Sequence, residues 1–220
     1  MEIIPIAFFR SPFITKFGIP RQSGIVDDVE GEIIFEPLVN QPDYVRGLER
    51  YDYIWLLWGF SGNSSTHVSP TVRPPILGGN KRVGVFSTRS PYRPNPIGLS
   101  SVRLKEIYVN SAKRLCLKVT GADLMNGTPI YDIKPYLEYT DSHVNVRSGL
   151  PDENQWKQLK VVFSEHAQTV LSTQEQQIIA KILEQDPRPH YQADGEKVYG
   201  MRYDEKDIHF KVNHETCIVL

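Results

Sequence analysis

The chain has little cysteine: two residues in 220, Cys116 and Cys217. Two cysteines do not make a disulfide framework, so stability has to come from a buried core, and a reducing compartment is expected. Long apolar runs are missing as well. The longest, Tyr53 to Phe60, is far too short to span a bilayer. The start, Met1-Glu-Ile-Ile-Pro-Ile-Ala-Phe-Phe9, has no basic n-region and no cleavage site, which argues against a secretory signal and for a cytoplasmic protein. There is no G-x-G-x-x-G and no P-loop, so a Rossmann-type nucleotide site has no support, and Gly78-Gly79-Asn80 reads as a plain turn. The histidines at 67, 143, 166, 190, 209 and 214 show no metal-ligand spacing. His209, His214 and Cys217 read as strand surface before they read as a metal trio, and no metal is expected. No G-x-S-x-G nucleophile context occurs.

The most telling absence is of carboxylates. From Ile54 to Lys105 there is neither Asp nor Glu, while Arg73, Lys81, Arg82, Arg89, Arg93, Arg103 and Lys105 contribute seven fixed positive charges. The whole chain is nearly neutral, at −1, because residues 1–53 and 141–220 each carry −4. Near-neutrality argues against a non-specific polyanion binder, whereas a positive middle between negative ends suggests a local site for an anion.

Within that stretch lies Gly84-Val-Phe-Ser-Thr-Arg-Ser-Pro-Tyr-Arg-Pro-Asn-Pro-Ile-Gly-Leu99, which has no helical or strand period. Pro91, Pro94 and Pro96 fix φ and remove backbone donors, so Arg89 and Arg93 ride on a stiff loop. Donors held in place lose less entropy on binding. The competing reading is a rigid inter-strand loop with solvated arginines.

Short β-prone runs at Ile3–Phe9, Glu32–Leu38, Lys81–Thr88, Leu99–Ile107 and Arg114–Val119 dominate the first two-thirds. Tyr53–Phe60 is apolar enough for a strand buried on both faces, and Leu115, Leu117 and Val119 should share one face. Turn residues at Asn110-Ser111 and Asn126-Gly127 punctuate these runs. This pattern favours a barrel or sandwich over a βαβ sheet. The last third changes character. Ser172-Thr-Gln-Glu175 is a capping-box pattern, and Ile178, Ile179, Ile182 and Leu183 follow at helical spacing before Pro187. Ile208, Phe210 and Val212 alternate in a half-exposed strand. A boundary is expected between about 140 and 155, near Ser148-Gly149-Leu150-Pro151.

The segment Gly84–Leu99 closely resembles the signature of the TrmO family, the YaeB or TsaA-like proteins. Three further blocks fit in order: Ser11-Pro-Phe-Ile-Thr-Lys-Phe-Gly-Ile-Pro-Arg-Gln22, Thr71-Val-Arg-Pro-Pro-Ile-Leu-Gly-Gly-Asn80 and Gly127-Thr-Pro-Ile-Tyr-Asp-Ile-Lys-Pro-Tyr136. The likeness is strong over 1–140, and Asp186-Pro-Arg-Pro189 and Tyr199-Gly200 resemble the extra domain of long family members. The resemblance implies a mainly β fold: a single-sheet β-barrel over residues 1–145, with a smaller α+β C-terminal domain over 146–220. It implies an S-adenosylmethionine-dependent methyltransferase acting on the exocyclic nitrogen of N6-threonylcarbamoyladenosine at tRNA position 37. It also implies a homodimer with the cofactor near the subunit interface, and the tRNA anticodon loop as partner. By position, cofactor contacts would fall on Pro20, Arg21, Gln22, Ser61, Gly62, Arg89, Leu99, Ile133, Lys134, Pro135 and Tyr136. The polar residues of the last block, Asp132, Lys134 and Tyr136, are the candidates for catalysis, against a plain strand-end salt bridge with a packed tyrosine. Where family members often have Phe-His-Gln, this chain has Phe60-Ser61-Gly62, so a histidine role there would have to pass to another residue such as His67. The alternatives are a non-catalytic RNA- or nucleotide-binding barrel and, more remotely, a metal-binding accessory protein.

Overall fold

The computed structural model describes residues 2–62, 68–77, 81–153, 158–188 and 197–220. His67, Gly78-Gly79-Asn80, His190 and Tyr191 lie outside them. The first two-thirds of the chain supplies β1 (Ala7–Arg10), β2 (Glu30–Phe35), β3 (Tyr53–Gly59), β4 (Thr71–Val72), β5 (Val83–Gly84), β6 (Ile97–Val109), β7 (Leu115–Thr120) and β8 (Thr128–Pro135). Strands β4 and β5 form a separate two-stranded ribbon, and the other six close into a barrel in the order β1-β2-β7-β6-β3-β8. Every neighbouring barrel pair is antiparallel. Closure pairs each barrel strand on both sides over part of its length, while β8 beyond Ile130 is paired by β3 alone.

Several strand expectations shift. The first strand begins at Ala7, not Ile3, because Ile3 and Ile4 stay in solvent. The second ends at Phe35, before Pro37 turns the chain. The run at 53–60 is not buried on both faces. Ile54, Leu56 and Trp58 point into the barrel, while Tyr53, Trp55 and Leu57 face outward. A barrel has one interior, so period-2 alternation sends every second apolar side chain outside. Of the expected strand at Lys81–Thr88, only Val83 and Gly84 pair, and Val85–Ser87 is a 3₁₀ turn. Leu115, Leu117 and Val119 do share the buried face.

Two short helices, α1 (Glu138–Asp141) and α2 (Leu150–Glu153), lead to β9 (Lys160–Phe163), α3 (Glu165–Val170), α4 (Thr173–Glu184), β10 (Val198–Tyr203), β11 (Lys206–Asn213) and β12 (Thr216–Val219). The second sheet runs β10-β11-β12-β9, with β12 and β9 parallel. Helix α4 starts as its sequence demands. The Ser172 hydroxyl accepts from the Glu175 N–H at 3.3 Å, and the Ser172 N–H donates back to the Glu175 carboxylate at 2.8 Å. Its Ile178, Ile179, Ile182 and Leu183 are buried on the sheet, as are Ile208, Phe210 and Val212 of β11. His209 is strand surface as expected, but Cys217 is buried and not on the surface, so alternation turns these two members of the disfavoured metal trio to opposite faces. Cys217 lies in the C-terminal core, and Cys116 is buried on β7 between Leu115 and Leu117 without belonging to either core.

The second core is not built by the C-terminal segment alone. The loop between β1 and β2 contributes Phe13, Val26 and Val29 to it. Phe13 packs edge-on to Tyr203 with centroids 5.9 Å apart, and Phe17 stacks on Phe210 at 6.2 Å. Gly18 adopts φ +91°, and a Cβ there would stand 2.9 Å from the Met201 sulfur. The loop is therefore clamped to the second sheet, and Pro20-Arg21-Gln22 is held where it can meet the barrel.

Candidate active site

The loop from Val85 to Pro96 is braced by its own short side chains. Prolines have removed donors, and short hydroxyl side chains bridge what is left. The Thr88 hydroxyl donates to the Val85 carbonyl at 2.8 Å and accepts from the Ser90 N–H at 3.2 Å. The Ser90 hydroxyl accepts from the Tyr92 N–H at 3.3 Å. Arg93 turns back into the loop, donating to the carbonyls of Thr88 at 3.3 Å and Ser90 at 3.4 Å. Two backbone bonds tie the loop down: Val85 N–H to the Pro70 carbonyl and Phe60 N–H to the Pro96 carbonyl, both 3.0 Å.

Arg89 stands exposed on this loop and donates to the Gln22 side-chain oxygen. Beneath them runs a buried polar chain. Trp58 Nε1 donates to Ser100 Oγ at 2.9 Å, and the Ser100 hydroxyl donates on to Asp123 Oδ1 at 2.6 Å. An indole N–H can only donate, so the direction of the chain is set. Burial raises the Asp123 carboxyl above the usual carboxylate range, and the Ser100 hydroxyl, the Arg89 charge and the Ser23 N–H pull it back. The indole needs room, and Gly98 opposite it supplies that: a Cβ on Gly98 would lie 2.3 Å from the Trp58 ring. This is the steric reason for glycine in the Pro96-Ile-Gly-Leu99 run.

The other candidates fall on the outer face of β6, β3 and β8. Register places Leu99 beside Leu57, and Leu57 beside Asp132. Asp132, Lys134 and Tyr136 point outward together. Ile133 and Pro135 pair with the buried Leu56 and Ile54, so they present backbone and not side chain to the surface. Asp132 accepts from the Ile133 N–H at 2.9 Å and pairs with Lys134 at 3.0 Å. Tyr136 packs against Tyr53 and Trp55, with centroids 6.3 and 5.6 Å apart. Four residues of extended chain put Tyr136 about 13 Å beyond Asp132, away from the Arg89 loop.

The remaining predicted residues divide. Pro20 is buried, and Arg21 reaches away from Arg89 to donate to the Asp186 carbonyl at 2.6 Å. Burial lowers the Arg21 pKa to about 10, against the pull of Asp186. Ser61 and Gly62 follow β3, and a Cβ on Gly62 would meet the Lys16 side chain at 2.6 Å and Met125 at 3.1 Å. Two cavities, of about 420 and 410 Å³, lie elsewhere, where α4 faces the barrel flank. Their linings mix Asp27, Asp28 and Glu30 with Arg103, Lys105 and Lys118, and neither touches Arg89 or Asp132. Among the described residues no group of three His, Cys, Asp or Glu could hold a metal, and no helix is long and apolar enough to cross a membrane.

The comparisons bear on this arrangement directly. Residues 8–142 match the family model of the tRNA-methyltransferase O N-terminal domain, and residues 156–220 match that of the TrmO C-terminal domain. The chain belongs to the TrmO family. It is 39% identical over 215 residues to the tRNA (adenine(37)-N6)-methyltransferase of Escherichia coli K12, covering 94% of this chain and 91% of that one. A Pyrococcus abyssi protein named "Probable S-adenosyl-L-methionine-binding protein" is 34% identical over 150 residues, 68% of this chain and 76% of the other. The crystal structure of TrmO from Pseudomonas aeruginosa superposes with a TM-score of 0.77 at 31% identity, covering all of this chain and 97% of that one.

Against this TrmO frame, the sequence reading missed Trp58, Ser100 and Asp123. A signal for Asp123 was present: it is the lone charge in Val119-Thr-Gly-Ala-Asp-Leu-Met125, and a carboxylate set among apolar neighbours is rarely buried without a partner. Ser100, its partner 23 residues away, and Trp58, which donates to Ser100, carry no such mark.

Proposed function

We propose that this protein is an S-adenosylmethionine-dependent tRNA methyltransferase acting on the exocyclic nitrogen of N6-threonylcarbamoyladenosine at position 37, beside the anticodon. Family membership along nearly the whole chain carries this reading, and the E. coli relative is named for methylation at that position. Bound S-adenosylmethionine would supply the methyl group. The residues at the loop suit its chemistry. Arg89 is exposed in a stretch free of carboxylates, and a guanidinium there can pair with the carboxylate tail through two parallel N–H bonds. Gln22 turns its amide oxygen toward Arg89 and so orients the guanidinium. Pro20, Arg21, Ser61, Gly62 and Leu99 complete the proposed contacts, with Ile133 and Pro135 offering backbone and Lys134 and Tyr136 side chains.

The accepting nitrogen belongs to a urea-like group and is a poor nucleophile until its proton leaves. Asp132 is the proposed proton acceptor, being the carboxylate on the outer face level with Leu57 and Leu99. Lys134 holds its Oδ2, and Tyr136, fixed between two aromatic rings, would orient substrate. Orientation by itself can supply much of the acceleration. Tyr53, Leu57, Ile97 and Leu99 form an outward apolar strip suited to a homodimer interface. The anticodon loop is the proposed tRNA element, the cytoplasm the proposed location, and no metal is required. Residues 1–145 would carry the chemistry and 146–220 would support the loop at 11–29.

The deciding experiment incubates the protein and S-adenosylmethionine with tRNA bearing N6-threonylcarbamoyladenosine, then reads anticodon fragments by mass spectrometry. The expected product is one methyl heavier at position 37, and tRNA with unmodified adenosine should give none. Cofactor binding by calorimetry without any methylated product would move the protein to a non-catalytic RNA-binding role.

A further inference from the structure

Phe86 is 77% exposed, yet it sits on a stiff support. It is the middle residue of the Val85–Ser87 3₁₀ turn, whose Val85 is buried to 3% and whose end closes by Thr88 N–H on the Val85 carbonyl at 3.1 Å. The neighbours Gly84 and Ser87 are too small to cover the ring. Arg93, locked to the carbonyls of Thr88 and Ser90, places its guanidinium carbon 6.0 Å from the Phe86 centroid. Tyr92 lies on the same loop with 45% exposure.

A single exposed apolar residue ordinarily needs no explanation; its charge setting gives this one a meaning. Tyr139 is still more exposed, at 87%, but stands between Glu138 and Asp141, where a polyanion would be repelled. Phe86 stands in the stretch without carboxylates, and the exposed Lys81 and Arg82 precede it in the chain. Among the described residues neither makes a salt bridge to a carboxylate, and Arg82 is held in place by Thr71, donating to its hydroxyl at 2.7 Å and its carbonyl at 2.9 Å. A rigid aromatic face backed by one guanidinium, with two cations that have no carboxylate partner close before it in the chain, matches unpaired nucleotides: the base stacks on the ring and an adjoining phosphate meets the cations.

We infer that Phe86 is a stacking platform for one unpaired base of the tRNA anticodon loop. This rests on the tRNA reading above and adds to it the atom group that receives the RNA. The test uses the full chain and an anticodon stem-loop RNA with 2-aminopurine placed at each loop position in turn. Base–aromatic stacking predicts that Phe86→Ala and Phe86→Leu weaken stem-loop binding about tenfold, and that Phe86→Trp restores it. The slope of affinity against salt should stay unchanged in all three, because no phosphate contact is lost. One 2-aminopurine position should be quenched by the unaltered protein and by Phe86→Trp, but not by Phe86→Leu. S-adenosylmethionine affinity should not move.

Wild-type affinity and quenching in Phe86→Leu overturn the inference. So does a change of oligomeric state in Phe86→Leu with RNA affinity intact, which would assign the ring to a contact with a second copy. If the unaltered protein binds no stem-loop at all, the tRNA reading itself fails and takes this one with it. The wild-type lane alone tells that case from the others.

Discussion

The two cores of this molecule are matched in residue types and opposed in what they surround. Each is lined by large aliphatic and aromatic side chains. Among the described residues the fully buried polar ones are Ser100 and Thr128, and both belong to the barrel. The barrel end also holds the half-buried Asp123 and lies in the positive stretch, while residues 141–220 carry −4. Burying hydroxyls and a carboxylate weakens a core unless every group is bonded, so a region that does so has a use for rigid polar atoms. The C-terminal unit buries a charged pair of its own, Arg188 with Asp186, whose side chains are only 9% and 17% exposed, but it does so beside the loop and not at the barrel end. It grips the loop that carries Pro20–Gln22, through Phe13, Val26 and Val29.

The largest effect should come from breaking that grip. Phe13 is fully buried among C-terminal residues although it lies in the first unit of sequence. Phe13→Ala should cost about 3–5 kcal/mol in urea denaturation, and it should also weaken S-adenosylmethionine binding by freeing the loop at 20–22. A stability loss with cofactor affinity intact would mean that the two regions act independently.

Next in size, Arg89→Ala should reduce S-adenosylmethionine affinity about tenfold or more, from roughly 1.5–3 kcal/mol for a charge-assisted hydrogen bond. Its stability should change by less than about 0.5 kcal/mol, since the side chain is exposed. Asp123→Asn should invert that pattern: a half-buried acceptor shared by Ser100 and the Ser23 N–H is disturbed, so stability falls by about 1–3 kcal/mol and affinity follows. Calorimetry and thermal denaturation on both variants would separate contact from support, and identical behaviour would mean that the two side chains play one role.

On the outer face, Asp132→Asn and Tyr136→Phe should lower single-turnover rates more than tRNA affinity. Equal losses of both would make these residues binding groups.

The smallest effect concerns the C-terminal unit and pH. The hydrogen bond from Lys206, then the Ser172 N–H, hold the Glu175 carboxyl below its ordinary 4.5. The folded pKa is depressed, so the stabilisation is complete above about pH 4.5 and disappears as pH falls through the folded value. Glu175→Gln should lower Tm at pH 7 by the equivalent of under about 1 kcal/mol, and the gap should close in acid. A gap independent of pH would remove the charge from the explanation.

Local signals in the sequence were enough for the elements that depend on near neighbours. The capping box at Ser172 and Glu175, the buried stripe of α4 and the alternation of Leu115, Leu117 and Val119 all follow from periodicity and hydrogen bonds a few residues apart. The strand at Lys81–Thr88 misled because β-prone residues say nothing about whether a partner strand is within reach. The closure of the barrel, the sharing of Phe13 with a sheet nearly 200 residues further on, and the meeting of Trp58, Ser100 and Asp123 were decided by tertiary structure. Each is a contact whose cost in chain entropy is repaid only once the whole sheet has formed, and no local pattern records it. What the sequence by itself determined was the chemistry available: a carboxylate-free stretch, a proline-stiffened loop with two arginines, and a glycine at 98. What only the fold decided was which of those groups face one another, because the direction of a side chain on a closed sheet is set by register with strands far away in the chain.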